Sequence, residues 1–156
     1  MSVKLPMAGG CGCGRVRYEI RAKPIAVYVC HCTDCQRQSG SAFGMSMAVP
    51  RDAVVVLSGT PRTWQRRADS GRLSLCYFCP DCGTRLYHHP THSPHLAFTK
   101  PGTLDDASWL DPAAHIWVKS AQEWSKPPAD ALAFPAQAPD FSLIANAWVK
   151  LEHVFD

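Results

Sequence analysis

Seven of the eight cysteines in this chain fall into short, spaced groups. They are Cys11-Gly-Cys13, Cys30-His-Cys32-Thr-Asp-Cys35 and Cys79-Pro-Asp-Cys82, while Cys76 stands alone. A tetrahedral centre needs sulfurs about 2.3 Å from one ion, and a Cys-x-x-Cys turn brings two of them together. Gly83, directly after Cys82, admits a positive φ, so the turn's N–H groups can point at the thiolates. Cys11 and Cys13 offer a second pair on one side of an extended segment. Cys30, Cys32 and Cys35 supply three sulfurs with no obvious fourth ligand, the pattern of an open zinc site.

Spacing leaves the partition open. Cys11 and Cys13 with Cys79 and Cys82 would close a structural four-thiolate site and leave three ligands for an open one. Cys32 and Cys35 with Cys79 and Cys82 would make an equally good zinc ribbon. One four-cysteine site with the other thiols free is a third arrangement. A redox role for Cys32-Thr-Asp-Cys35 is disfavoured, because no βαβ pattern surrounds it.

The remaining polar candidates read as structural. Cys76 suits a small buried thiol. His31, between two ligands, is expected to face away from them in a supporting or surface position. His88, His89, His92 and His95 lie in a proline-interrupted stretch that reads as a solvated loop rather than a third metal site. Asp105-Asp106 reads as a turn with a side-chain cap. Trp109, Trp117 and Trp124 are expected in the core or at sheet edges. Arg62, Arg66, Arg67, Arg72 and Arg85 form a loose cluster that reads as a solvated strand face, and a basic footprint for nucleic acid is not visible.

Short strands must position the cysteines. Val16, Tyr18 and Ile20 alternate with Arg15, Arg17, Glu19 and Arg21, which predicts a half-buried strand. Further strands are expected over 25–29, 43–49, 53–57, 62–67, 73–78, 84–88, 96–99 and 115–119. Turn signals at Pro50-Arg51-Asp52, Ser58-Gly59, Asp69-Ser70-Gly71 and Lys100-Pro101-Gly102 punctuate them. A single helical turn is expected over 33–38. Phe141, Ile144, Trp148, Leu151 and Phe155 follow helical spacing and predict an amphipathic helix over 141–155, packed on the protein's own sheet. Residues 126–140 hold four prolines and five alanines and read as a linker or an extended crossing segment. The expected architecture is a mainly β single domain over 1–156.

The chain has 156 residues, 46% hydrophobic and 19% charged, which excludes wholesale disorder. No run approaches the roughly 18 apolar residues of a membrane span. The first ten residues lack the pattern of a signal peptide, so a cytoplasmic protein with reduced cysteines is expected. The formal net charge of +3 would fall to near zero with seven thiolates and two zinc dications, which again argues against a nucleic-acid partner.

Five ordered motifs carry a resemblance. They are Gly10-Cys11-Gly-Cys13-Gly14-x-Val16-x-Tyr18, Cys30-His31-Cys32-x-x-Cys35-x-x-x-Ser39-Gly40-Ser41, Phe78-Cys79-x-x-Cys82-Gly83-Thr84, Gly102-Thr103-Leu104-Asp105-Asp106 and His115-Ile116-Trp117-Val118. Over residues 9–124 the chain resembles the glutathione-dependent formaldehyde-activating enzyme family, also called the centromere-protein-V family. The resemblance implies a zinc-built β domain of two facing sheets. It implies a structural zinc on Cys11, Cys13, Cys79 and Cys82, and a second, more labile zinc on Cys30, Cys32 and Cys35 as the catalytic site. The implied activity is that of a carbon–sulfur lyase joining glutathione and formaldehyde into S-(hydroxymethyl)glutathione. The implied partners are a small thiol and an aldehyde, with a homo-oligomer possible and no membrane. A non-catalytic zinc-stabilised binding module, as the animal centromere members suggest, is the alternative, and a zinc or thiol buffer is the third.

Overall fold

Alternating apolar and polar residues build short strands, and tight turns set their order. The computed structural model describes residues 2–68 and 71–156, so the Asp69-Ser70 part of one turn signal lies outside the described residues. The strands are β1 (Ser2–Val3), β2 (Met7–Gly10), β3 (Arg17–Ile20), β4 (Ala26–Cys30), β5 (Gly44–Pro50), β6 (Val54–Ser58), β7 (Arg62–Arg67), β8 (Leu73–Phe78), β9 (Arg85–Pro90), β10 (Leu96–Thr99), β11 (Ala114–Ile116) and β12 (Val154–Phe155). Helix α1 (Thr33–Ser39) follows β4, and α2 (Phe141–Val149) precedes β12.

A seven-stranded sheet runs β11-β4-β5-β10-β9-β8-β7, and a three-stranded sheet runs β2-β3-β6. Only the β11–β4 pairing in the large sheet is parallel. The small pair β1–β12 is also parallel. Tyr18 and Ile20 from the small sheet and Val27, Met47, Val49 and Leu86 from the large one share a single buried cluster. The other face of the large sheet receives α2, where Phe141 meets Tyr28 and Phe98 edge to face at 6.1 Å each. The mainly β expectation with two principal sheets and a C-terminal helix is therefore observed.

The structure departs from the sequence expectation at four places. The C-terminal helix stops at Val149, short of the predicted 155, because Lys150 caps it and Glu152 takes a positive φ of 52°. The chain then reverses and Val154–Phe155 joins the N-terminal strand, so Leu151 is exposed while Ile144 and Trp148 are buried. The predicted 115–119 strand ends at Ile116, where Trp117 turns left-handed with φ 58°. His88 and His89 are not in a solvated loop but in β9, and only the turn beyond carries His92 and His95. Trp124 packs in neither core nor sheet edge; it is 77% exposed.

The proline- and alanine-rich segment is a crossing segment, not a linker. Its carbonyls at Leu132 and Ala136 accept from the His115 and Trp117 N–H groups, and Phe134 N–H donates back to His115. No helix among the described residues is long and apolar enough to cross a membrane.

Candidate metal centres

Two tight loops build the first cysteine group. Between β2 and β3, Cys11 N–H donates to Val16 O at 3.0 Å, and Gly14 N–H donates to Cys11 O with Gly14 at φ 78°. Between β8 and β9, Cys79 N–H donates to Thr84 O and Gly83 N–H donates to Cys79 O, with Gly83 at φ 72°. Gly12 N–H donates to Thr84 Oγ1 at 3.0 Å, and Arg15 pairs with Asp81 at 3.0 Å, so the loops dock on one another.

Docking brings the sulfurs of Cys11, Cys13, Cys79 and Cys82 within 4.8 Å of one another. The Cys11–Cys13 separation is 3.5 Å and the Cys13–Cys79 separation 3.8 Å. Four sulfurs about 2.3 Å from one ion stand about 3.8 Å apart, so this donor set has the size and chemistry of a tetrahedral thiolate cage. Val16 N–H donates to Cys11 Sγ at 3.2 Å, and bonds from Thr84, side chain first and then backbone, pull the Cys82 thiol down to about 5. Both favour thiolates.

The second group is local. Cys30 ends β4, and Cys32 caps α1 with an extended backbone, its sulfur accepting from Cys35 N–H at 3.3 Å. The first turn of α1 brings Cys35 round, so Cys30, Cys32 and Cys35 also lie within 4.8 Å. Gln36 Nε2 donates to His31 O at 2.7 Å and to Ser120 O at 2.9 Å, tying the helix to the chain after β11. Glycine at 44 makes room, since a Cβ there would stand 3.2 Å from Cys35 Cβ.

Three thiols this close cannot all ionise without a cation. Hydrogen bonds from Cys30 and Cys32 pull the Cys35 thiol down to about 3, while bonds to Cys32 and Cys35 push Cys30 up. One negative charge is thus shared over three sulfurs, and a dication would relieve the conflict. The residues fit a metal ion here as well. The structure brings Cys79 and Cys82 to Cys11 and Cys13, and the ribbon that would join them to Cys32 and Cys35 does not form.

The supporting residues divide. His31 is fully buried rather than at the surface, with Nε2 3.1 Å from His115 Nδ1 and the rings stacked. Cys76 is buried, as expected of a packing thiol. Asp106 accepts from Ser108 N–H at 3.0 Å in a side-chain turn, and Asp105 pairs with Arg17. Arg66 is not on a solvated face: it pairs with Asp34 on α1 at 3.1 Å. Lys100, part of a turn signal by sequence, is a site residue that the turn pattern alone does not mark. A lysine closing the buried run Leu96–Thr99 was the signal available.

Burial holds His88 neutral well below the ordinary histidine range and brings His89 down to about 4. Unfolded histidine titrates near 6.5, so below that pH the unfolded chain takes up protons that the fold refuses. Stability should therefore be complete above about pH 6.5 and fall as pH drops, His88 alone contributing up to about 1.4 kcal/mol per pH unit. Melting curves from pH 8 to pH 5 check this, and His88→Gln should flatten the decline. A melting temperature that rises on acidification would contradict it.

The model of the glutathione-dependent formaldehyde-activating enzyme family matches residues 6–120. A Penicillium rubens protein is 28% identical over 125 residues, covering 77% of this chain and 63% of that protein. A Colletotrichum graminicola protein is 26% identical over 123 residues, covering 70% of this chain and 63% of that protein. Both are provisionally named as glutathione-dependent formaldehyde-activating enzymes. The match thus spans 63% of the length of these curated relatives. A crystal structure of a Rhodobacter sphaeroides protein shares the fold, with a TM-score of 0.54 and 16% identity over 82% of this chain and 99% of that one.

Proposed function

Because the chain belongs to the glutathione-dependent formaldehyde-activating enzyme family, we propose that it is a carbon–sulfur lyase coupling a small thiol such as glutathione to formaldehyde, with a zinc ion in each cysteine group. Cys11, Cys13, Cys79 and Cys82 hold the structural ion, and Cys30, Cys32 and Cys35 hold the catalytic one. The observation that carries this reading is the second group. It gathers three sulfurs within 4.8 Å, and among the described residues no fourth cysteine, histidine or carboxylate joins it. A purely structural site would be closed.

Zinc bound there would supply a position at which a substrate thiol ionises near neutral pH. The chain's own residues do the rest. Cys30 on β4 and the first turn of α1 hold the three sulfurs against the sheet, and Gln36 fixes that turn. Three thiolates outweigh the charge of a dication, which favours a nucleophilic sulfur over strong polarisation of the carbonyl. The thiol proton leaves to solvent, the sulfur lone pair forms the C–S bond as the carbonyl π bond breaks and its pair moves to oxygen, and that oxygen takes a proton. The reverse cleaves the same bond. Reduced cysteines are required throughout, which suits a cytoplasmic setting.

Exchange NMR tests the reading. Zinc-loaded protein should speed exchange between free formaldehyde and S-(hydroxymethyl)glutathione above the uncatalysed rate, with two zinc ions per chain in native mass spectrometry. No acceleration with glutathione or any small thiol, with both groups filled, would favour a zinc-stabilised binding module instead.

A further inference from the structure

In a flat sheet β7 would stand five strand spacings from β4, about 24 Å away. Yet Arg66 on β7 reaches Asp34, in the helix that directly follows β4, at 3.1 Å. The large sheet therefore curls toward the helix that carries Cys35. Register says what lines that face. Cys30 pairs with Gly44 and Tyr28 with Ser46, so Cys30 and Ser46 point the same way. Phe98 and Cys76 both pair with His88, and Trp64 with Cys76, which puts His88 and Arg66 on that face too. Lys100, two residues beyond Phe98, donates from Nζ to Ser46 Oγ at 3.2 Å.

This half-buried face has an excess of positive charge. Among the described residues Lys100 forms no ion pair, and Ser46 is its hydrogen-bond partner. Lys100 and Arg66 share this face, Arg66 pairs with Asp34 next to Cys35, and Arg85 opens β9 opposite Phe78. Three thiolates around a dication leave one negative charge and Asp34 adds a second, against three cations. Lys100 is half-buried, and a cation drawn partly out of water costs free energy unless something pairs with it. His88 Nδ1 is a second unmet group, buried with no partner among the described residues. Such polar atoms call for a ligand or water.

We propose that Lys100, with Arg66 on the same face of the sheet, anchors a carboxylate of the substrate, so that this site takes carboxylate-bearing thiols in preference to neutral ones. The proposal rests on the thiol chemistry set out under Proposed function. It makes Lys100 a specificity residue that grips the substrate away from the reacting sulfur. His88 Nδ1, without a partner among the described residues, is a second polar atom available to the ligand.

Calorimetric binding to the zinc-loaded protein tests it with four probes. They are 3-mercaptopropionate, 2-mercaptoethanol, glutathione and S-methylglutathione, which keeps both carboxylates but has no free thiol. A charge-assisted hydrogen bond should make 3-mercaptopropionate bind about tenfold tighter than 2-mercaptoethanol. Lys100→Met should erase that difference and weaken S-methylglutathione, and Lys100→Arg should keep most of it. Should Lys100→Met not melt cooperatively, Arg66→Gln carries the comparison, with a smaller loss expected. Equal binding of acidic and neutral thiols overturns the anchor and leaves the thiol reading intact. Binding of S-methylglutathione that depends on Lys100, with no binding of either simple thiol, upholds the anchor and overturns the thiol reading. If no probe binds, both fall.

Discussion

Cys35→Ser should return formaldehyde exchange to its uncatalysed rate while the domain still melts cooperatively near the wild-type temperature. Cys35 is one of only three sulfurs in its group. Losing even a supporting contact of a metal ligand typically costs about 10–100-fold in affinity, so losing a ligand should cost at least the upper part of that range. The fold should tolerate the change because α1 contributes no buried residue to the core. Native mass spectrometry should find one zinc in place of two. Mild chelation of the wild-type protein should remove the same ion with little change in far-UV circular dichroism. Acceleration that survives in the variant after that zinc has gone would refute the zinc mechanism while leaving an enzyme.

Cys79→Ser should have the opposite profile, a loss of the cooperative fold itself. Cys79 is fully buried, and its loop joins β8 and β9 to the loop between β2 and β3. Structural zinc binding is worth about 10–16 kcal/mol in small zinc domains, whereas a whole domain is stable by only about 5–15 kcal/mol. Removing a ligand from such a site can exhaust the entire margin. Thermal scans and circular dichroism should show no native transition, and Cys76→Ala, which touches neither group, should keep both ions. A cooperative melt of Cys79→Ser close to wild type would mean that the four-sulfur group does not hold the fold together.

The cysteine spacing narrowed the metal sites without deciding between them. Cys82 reads equally well beside Cys32 or Cys13, because which loops dock depends on Thr84 accepting from Gly12, a contact across 72 positions. Strands with clean alternation or long apolar runs, such as β3, β5 and β8, were legible. The two-residue strands β1 and β12 were not, since each forms only because the other is there. The 141–155 stripe overshot for the same reason: Phe155 is apolar at helical spacing but is used by a strand. Lys100 and Arg66 were hidden more deeply. Nothing local says that a sheet will curl until β7 reaches the helix after β4, so their shared surroundings exist only in three dimensions.

The separation of Cys13 and Cys79 by 66 positions gives the four-sulfur group a second consequence, felt before the chain has folded. An ion bridging those thiols ties a long loop in the denatured ensemble and removes chain entropy there. A covalent link closing such a loop would be worth on the order of 4 kcal/mol, against markedly less for a loop the size of the three-cysteine group. An ion on the four-sulfur group would thus shorten the search for non-local strand pairing, whereas one on the three-cysteine group, closing only residues 30–35, would leave that search unchanged.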